Sequence, residues 1–299
     1  MRSDYIVFIL THGRADNVVT FRTLRQQGYT GRIGIVIDNE DKQAEKYKQN
    51  FGAENVFIFD KAAIAETFDE VHKADRRTVV YARNACFEIA KQIGVKRFIE
   101  LDDDYEFFCF DFDDENKWLT RVVNLSCLDN VFGIMWDFFD KVPCASLAMA
   151  QGGDYIGGAS GKHAKNITLL RKCMNSFFCS TDRPFKFTGR INEDVNTYTM
   201  EAHRGMLFFT ANQVSLNQKQ TQSNKGGMTD IYLDSGTYIK SFFSVIVCPS
   251  AVKVSLMGGG GDKRLHHFVS WNNCAPKIVR ESLKKGVVKS TQNQRNGKV

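Results

Sequence analysis

Glu100-Leu-Asp-Asp-Asp-Tyr-Glu106 is the first stretch of this sequence that could do chemistry. From Glu100 to Glu115 there are nine acids and no Lys or Arg, so their mutual repulsion is costly unless a cation is present. Asp102 and Asp104 flank Asp103 as a D-x-D, which can hold one Mg²⁺ or Mn²⁺ while phosphate oxygens complete an octahedral shell. A solvated acidic loop would look the same in isolation, because the triplet is short and common. Position favours a site: the apolar run 96–101 reads as a buried strand that delivers the carboxylates to its C-terminal end, the edge where open α/β sheets bind ligands.

Two later clusters could join them. Gly189-Arg190-Ile-Asn-Glu193-Asp194 places an acid pair at the opening of a predicted helix, where Asn192 or Glu193 could cap and a carboxylate could also take a proton. A glycine run at 258–261 leads through Lys263 and Arg264 to His266 and His267. Neighbouring residues on a strand face opposite ways, so only one of the two histidines can serve a given ion.

The stretch 81–104 places Ala82-Arg83-Asn84 at the start of a helix, Gly94 at its stop and Phe-Ile-Glu-Leu-Asp-Asp-Asp behind it. It resembles the A-R-N…L-D-D-D passage of GT-A nucleotide-sugar glycosyltransferases. The resemblance implies a GT-A (Rossmann-like) α/β fold with a mixed, mainly parallel sheet flanked by helices. It implies that Arg83 pairs with the donor diphosphate or with the aspartates. Thr11, His12 and Arg14 after the first strand and Asp38 after the second would hold base and ribose, with Asp102 and Asp103 on the donor. Asp102, Asp104 and one of His266 and His267 would bind a single Mn²⁺ or Mg²⁺. Asp194, in preference to Glu193, would be the general base, and Lys263 or Arg264 would meet the diphosphate as a mobile loop closes.

Taken together, Thr-His-Gly-Arg14, Ala-Arg-Asn84, Asp102 to Asp104, Gly-Arg-Ile-Asn-Glu-Asp194 and the late His-His look like the TET-associated glycosyltransferase family, over roughly residues 5–270. That family is encoded mostly by bacteriophages and is related to the base J glucosyltransferase. The likeness implies transfer of a sugar, from a UDP-sugar as first candidate, onto a hydroxymethylpyrimidine such as 5-hydroxymethylcytosine in DNA, in the host cytoplasm. The segment 151–161 carries five glycines in eleven residues. Gly157 and Gly158, with Lys162, His163 and Lys165 just after and Arg190 further on, are candidates for meeting a DNA backbone or a flipped nucleotide. A glycosyltransferase acting on a glycan, lipid or protein would share the donor half. A nucleotidyltransferase would want a glycine- and lysine-rich loop after strand one, of which His12-Gly-Arg14 is a poor version. A non-catalytic DNA-binding module of the same fold would lose the acids, which are all present.

The elements that must position these residues follow from the apolar pattern. Strands are expected at 5–10, 32–37 and 55–59. A helix capped by Asp16 carries Val18, Phe21 and Leu24 up to Gly28, and another runs over 42–51. With the helix from Val79 to Gly94, this alternation implies right-handed βαβ units and a parallel sheet. Beyond the acids the expected order is strand 106–112, helix 126–141, strand 145–150, strand-like 167–170 and 185–188, helix 193–202, strand 206–210, polar loop 217–229, helix 233–243 and strands 244–248 and 252–257. One domain, 1–276, would divide into a nucleotide-sugar half (1–115) and an acceptor half (116–276), ahead of a basic tail (277–299).

Composition bounds this reading. The chain has 299 residues, 43% hydrophobic and 25% charged, which excludes disorder and small disulfide scaffolds. Its eight cysteines show no C-x-x-C, and so read as buried thiols of a reducing compartment. The apolar run at 5–10 is too short to span a membrane. The formal charge of +6 is concentrated in 277–299, with seven Lys or Arg (277, 280, 284, 285, 289, 295, 298) against Glu281, while the rest carries 33 of each sign. A neutral body with a basic end suggests a polyanionic partner, or else a solvated terminus.

Overall fold

A computed structural model describes residues 4–67, 78–115, 117–155, 158–161, 167–169, 171–218, 239–257, 264–274 and 277–284. The chain alternates as expected through β1 (Tyr5–Leu10), α1 (Val19–Gln26), β2 (Arg32–Asp38), α2 (Ala44–Phe51), β3 (Val56–Phe59), α3 (Lys61–Glu66), α4 (Val80–Gln92) and β4 (Arg97–Asp102). There follow β5 (Tyr105–Phe112), β6 (Trp118–Asn124), α5 (Leu128–Lys141), β7 (Ser146–Gln151), β8 (Ile167–Thr168), β9 (Ser176–Ser180), α6 (Glu193–His203) and β10 (Phe208–Gln218). A helix over 239–247 (α7), β11 (Val252–Met257), β12 (Arg264–Val269) and the short α8 (Trp271–Cys274) complete the described elements.

The main sheet runs β3-β2-β1-β4-β9-β7-β10-β5-β6, with β8 beside β10. β1 pairs parallel with both β2 and β4, and β2 with β3. β9 is antiparallel to both β4 and β7, whereas β7 and β10 are parallel, so the sheet is mixed and mainly parallel, as expected. Burial on both faces explains the unbroken apolar runs. On β1, Tyr5, Val7 and Ile9 enter the core shared with α1, α2 and α5, whereas Ile6, Phe8 and Leu10 enter the core shared with α4 and α6. β11 and β12 form a separate two-stranded ribbon.

Several expectations need correction. Asp16 does not cap α1, which starts at Val19 with no side-chain cap; Asp16 pairs with Lys46 instead. Residues 185–188 are not a strand: Phe185 and Phe187 plug the core, and the strand of this region is β9. Residues 244–247 belong to α7 rather than to a strand, and β8 ends at Thr168. β10 continues past Thr210 to Gln218, beyond the expected start of a polar loop. The remainder of that loop and the glycine run 258–261 lie outside the described residues. All eight cysteines are free thiols, seven of them buried. Among the described residues no helix is long and apolar enough to cross a membrane.

The first part of the basic tail is packed on the body. Arg280 N–H donates to the Gly205 carbonyl at 3.0 Å, its guanidinium lies 3.8 Å from Glu201, and Leu283 is buried. Lys284 shares a hollow with Lys141, Pro143 and Arg183, at the ends of the strands that face away from the carboxylates.

Candidate active site

β1, β2 and β4 end side by side, so the loops that follow them meet at one edge of the sheet. The acidic turn after β4 is held from behind by α1. Thr20 N–H donates to the Asp103 carbonyl at 3.1 Å, its hydroxyl donates to the Asp102 carbonyl at 2.6 Å, and the same oxygen accepts from Tyr105 N–H. Backbone demands are thus met inside, and Asp102 and Asp104 stay partly exposed.

Asp103 is buried and holds the loop after β1. It accepts from the Thr11 hydroxyl at 2.6 Å and from the Arg14 guanidinium at 2.9 Å. Tyr47 of α2 completes that loop, its hydroxyl lying 3.1 Å from Thr11 Oγ1 and accepting from Arg14 N–H at 2.8 Å. At the end of β2, Asp38 lies 2.7 Å from His12 Nδ1 and 3.3 Å from the buried ammonium of Lys61. Its hydrogen bond to Asp38 raises the pKa of His12. Burial acts to raise the Asp38 carboxyl, and the contacts with His12 and Lys61 outweigh it, leaving the pKa low. Thr11, His12, Arg14, Asp38 and Asp103 therefore stand together as one wall, and Lys61 and Tyr47 belong to it although neither carries a motif.

Arg83 on α4 is 2% exposed and links the two acidic motifs. Its guanidinium lies 2.9 Å from Asp102 Oδ1, 3.2 Å from Glu193 Oε1 and 3.7 Å from the fully buried Glu100. The rings of Phe177 and Phe187 lie beneath it at 4.9 and 5.6 Å. Burial works against its charge, and Asp102, Glu193 and Glu100 outweigh burial to raise its pKa. Its neighbour Asn84 makes a reciprocal pair with the Phe187 backbone, at 2.9 and 3.0 Å, and so fixes the chain that leads to the E-D pair.

That approach is built by backbone geometry. Gly189 has φ +88°, and a Cβ there would lie 2.4 Å from Asn196 Nδ2, the amide that donates to the carbonyls of Thr188 and Ile191. Asn192 precedes α6 in a left-handed conformation without capping it, and its amide donates instead to the Lys240 carbonyl of α7 at 2.6 Å. Arg190 lies in this turn, its carbonyl accepting from the Thr78 hydroxyl. Glu193 is held by Arg83, whereas Asp194 accepts from Val195 N–H at 2.7 Å. Burial raises the pKa of both carboxyls.

The residues expected to bind a metal are only partly brought together. Asp104 makes no hydrogen bond or ion pair with another described side chain. Burial and the neighbouring charges of Asp102 and Asp103 push its pKa up to about 7. A carboxylate so placed fits a divalent cation shared with Asp102. His266 and His267 sit on β12, with His266 Nδ1 2.7 Å from the His267 carbonyl. Burial, His266, Lys240 and Lys172 push the His267 pKa down to about 3. Among the described residues no three His, Cys, Asp or Glu side chains form a group that could hold a metal ion, so neither histidine joins Asp102 and Asp104 in one. Gly158 lies in a short helical turn near the Trp118 indole. Gly157, Lys162, His163, Lys165 and Lys263 lie outside the described residues, as does the side chain of Arg264.

A mixed α/β sheet with an arginine-bridged acidic cleft at its strand ends puts these residues where open α/β sheets bind their ligands. The chain belongs to the TET-associated glycosyltransferase family, which it matches over residues 5–227. No curated protein matches it. Among solved structures it is similar to glucosyl-3-phosphoglycerate synthase from Mycobacterium tuberculosis, crystallised with Mn²⁺, uridine diphosphate and phosphoglyceric acid. The two are 10% identical, the match covers 92% of this chain and 90% of that one, and the TM-score is 0.46.

Proposed function

We propose that this glycosyltransferase takes a sugar from a nucleoside diphosphate sugar, a UDP-sugar first, and places it on the hydroxymethyl group of a modified pyrimidine in DNA, with one Mn²⁺ or Mg²⁺. The observation that carries the chemistry is the Arg83 bridge, which joins the donor-side Asp102 to the acceptor-side Glu193 in one cleft. Family membership and the basic C-terminal segment support DNA as the acceptor.

In this reading the wall of Thr11, His12, Arg14 and Asp38 receives the nucleoside. A cation held by Asp102 and Asp104 would set positive charge against the diphosphate. Asp194 takes the proton of the acceptor hydroxyl while its oxygen bonds to the anomeric carbon. The bond from that carbon to the diphosphate breaks, and the electron pair leaves with the diphosphate. Glu193 stays paired with Arg83 at the cleft and does not move the proton itself. Lys263 or Arg264 would neutralise the leaving charge.

Incubation with hydroxymethylated and unmodified DNA, a panel of nucleotide sugars and Mn²⁺, followed by digestion to nucleosides and mass spectrometry, tests this. A hexose or pentose mass added only to hydroxymethylpyrimidine nucleosides is the expected result. Donor turnover without any modified nucleoside would redirect the acceptor assignment to a glycan, lipid or protein.

A further inference from the structure

The ribbon of β11 and β12 carries apolar side chains that the cleft does not use. Its register pairs Val252 with Val269, Val254 with His267 and Leu256 with Leu265, so these residues share one face, and Lys253 pairs with Phe268 on the other. Val252 and Val269 are buried at the root, whereas Leu256 is 63% exposed, Leu265 37% and Phe268 49%. Apolar groups thus stand in solvent on both faces, which marks the ribbon as a contact surface.

Its charge selects the partner. The twelve residues of the two strands include Lys253, Arg264 and two histidines but no acid. Lys253 has no acid partner among the described residues, and its ammonium lies 5.3 Å from the centre of the Phe268 ring. An apolar ribbon without acids is complementary to a polyanion that also presents apolar faces, as nucleic acid does. Two-stranded ribbons fit the grooves of DNA.

The ribbon is rooted beside the E-D pair. Ser270 N–H donates to the Ala251 carbonyl at 2.7 Å and closes the root, and Trp271, next in the chain, stacks on Tyr198 of α6 with ring centres 5.4 Å apart. That helix opens with Glu193 and Asp194. From α7 the Ser241 hydroxyl donates to the Leu265 carbonyl at 2.9 Å, and the adjoining Lys240 carbonyl accepts from Asn192, the residue before the pair. The helices that place the candidate base therefore place the ribbon as well.

We propose that this ribbon grips duplex DNA beside the cleft, with Leu256 and Leu265 entering the stack where the acceptor nucleotide has left it and Lys253 meeting a backbone phosphate. This rests on the DNA-acceptor reading and deepens it, because a base inside a duplex must be extruded before its hydroxymethyl group can reach Asp194. Apolar side chains inserted between bases hold such a step open.

The test uses duplexes carrying 5-hydroxymethylcytosine or 5-hydroxymethyluracil, each opposite its pairing base or opposite a mismatch, which leaves the stack at less cost. Leu256→Ser combined with Leu265→Ser should lower kcat/KM on the paired duplex about tenfold relative to the mismatched one. Both leucines are exposed, so Tm should hold. Lys253→Gln should weaken duplex binding and flatten the slope of log K against log[salt] by about 0.9. A paired-to-mismatched ratio unchanged in the double variant overturns the ribbon's role, and so does an unchanged salt slope in Lys253→Gln. Wild-type transfer to single strands but not to duplexes overturns it too, as does a wild-type dimer that the double variant splits, which would give the face to a second copy of the chain. Absence of transfer by the wild type to any hydroxymethylated acceptor would strike the functional reading itself, whereas normal transfer to duplexes with an unchanged ratio strikes only the ribbon.

Discussion

Asp104 and Asp194 are both acids with raised pKa values, and the cleft asks different things of them. Asp104→Ala should remove the metal-dependent part of nucleoside diphosphate affinity in calorimetry with Mn²⁺, because the diphosphate would then face Asp102 and Asp103 without a shared cation. Asp194→Asn should leave donor affinity intact while kcat falls by roughly 10²–10⁴, the usual contribution of a general base. Collapse of donor affinity in that variant would place Asp194 in the nucleotide site. His12 offers a pH test. The hydrogen bond to Asp38 raises its pKa above 6.5, so its stabilisation is complete below about 6.5 and fades as pH rises through the raised value. The Tm difference between wild type and His12→Gln should be larger at pH 6 than at pH 9, and equal differences would dissociate the pair in solution. The sequence showed Arg83, Asp102 and the E-D pair because acids and a cation recur there at readable spacing. Glu100 was visible only as one acid of a run, and Lys61 and Tyr47 carried no signal, since their partners lie 23 or more positions away along the chain.

At the scale of elements, the first half of the fold was legible from β1 to β4, where apolar runs and glycine stops alternate cleanly. The second half was less so, for identifiable reasons. β9 is only five residues long and lies between two longer strands, so its Ser-Phe-Phe-Cys-Ser carries no alternation. β10 looks polar after Thr210, yet Ser215 donates to Asp111 at 2.6 Å and the Asn212 amide donates to the Thr168 hydroxyl at 3.2 Å, so these polar side chains find partners within the sheet. Phe185 and Phe187 imitate a strand, but Asn84 supplies the hydrogen bonds that a neighbouring strand would give. Gly28, expected as a stop, has a sharper constraint. Its φ is +85°, and a Cβ there would lie 2.5 Å from the Ser126 carbonyl oxygen. Gly28→Ala should cost at least about 1–2 kcal/mol from backbone strain alone, read as a fall of several degrees in Tm. An unchanged Tm would mean that the junction of α1 and α5 relaxes.

At the scale of the molecule, four cations (Lys285, Lys289, Arg295 and Lys298) follow the packed segment that ends at Lys284. If all four meet phosphates, the slope of log K against log[salt] on duplex DNA should include about −3.6 from them. A chain ending at Lys284 keeps the docked Arg280 and Leu283, so it should lose that part of the slope without losing Tm. Full DNA affinity with the same slope would leave the segment as a solvated end.

The anchoring of 277–284 has a further consequence. Lys284 leaves the body at the strand ends opposite the carboxylates, and Lys285, Lys289, Arg295 and Lys298 follow it in the sequence. In the proposed reaction these cations and the cleft would meet different stretches of one duplex. The enzyme could let a finished base go while still tethered to the strand, so that neighbouring bases on one molecule are modified in clusters before any exchange between molecules.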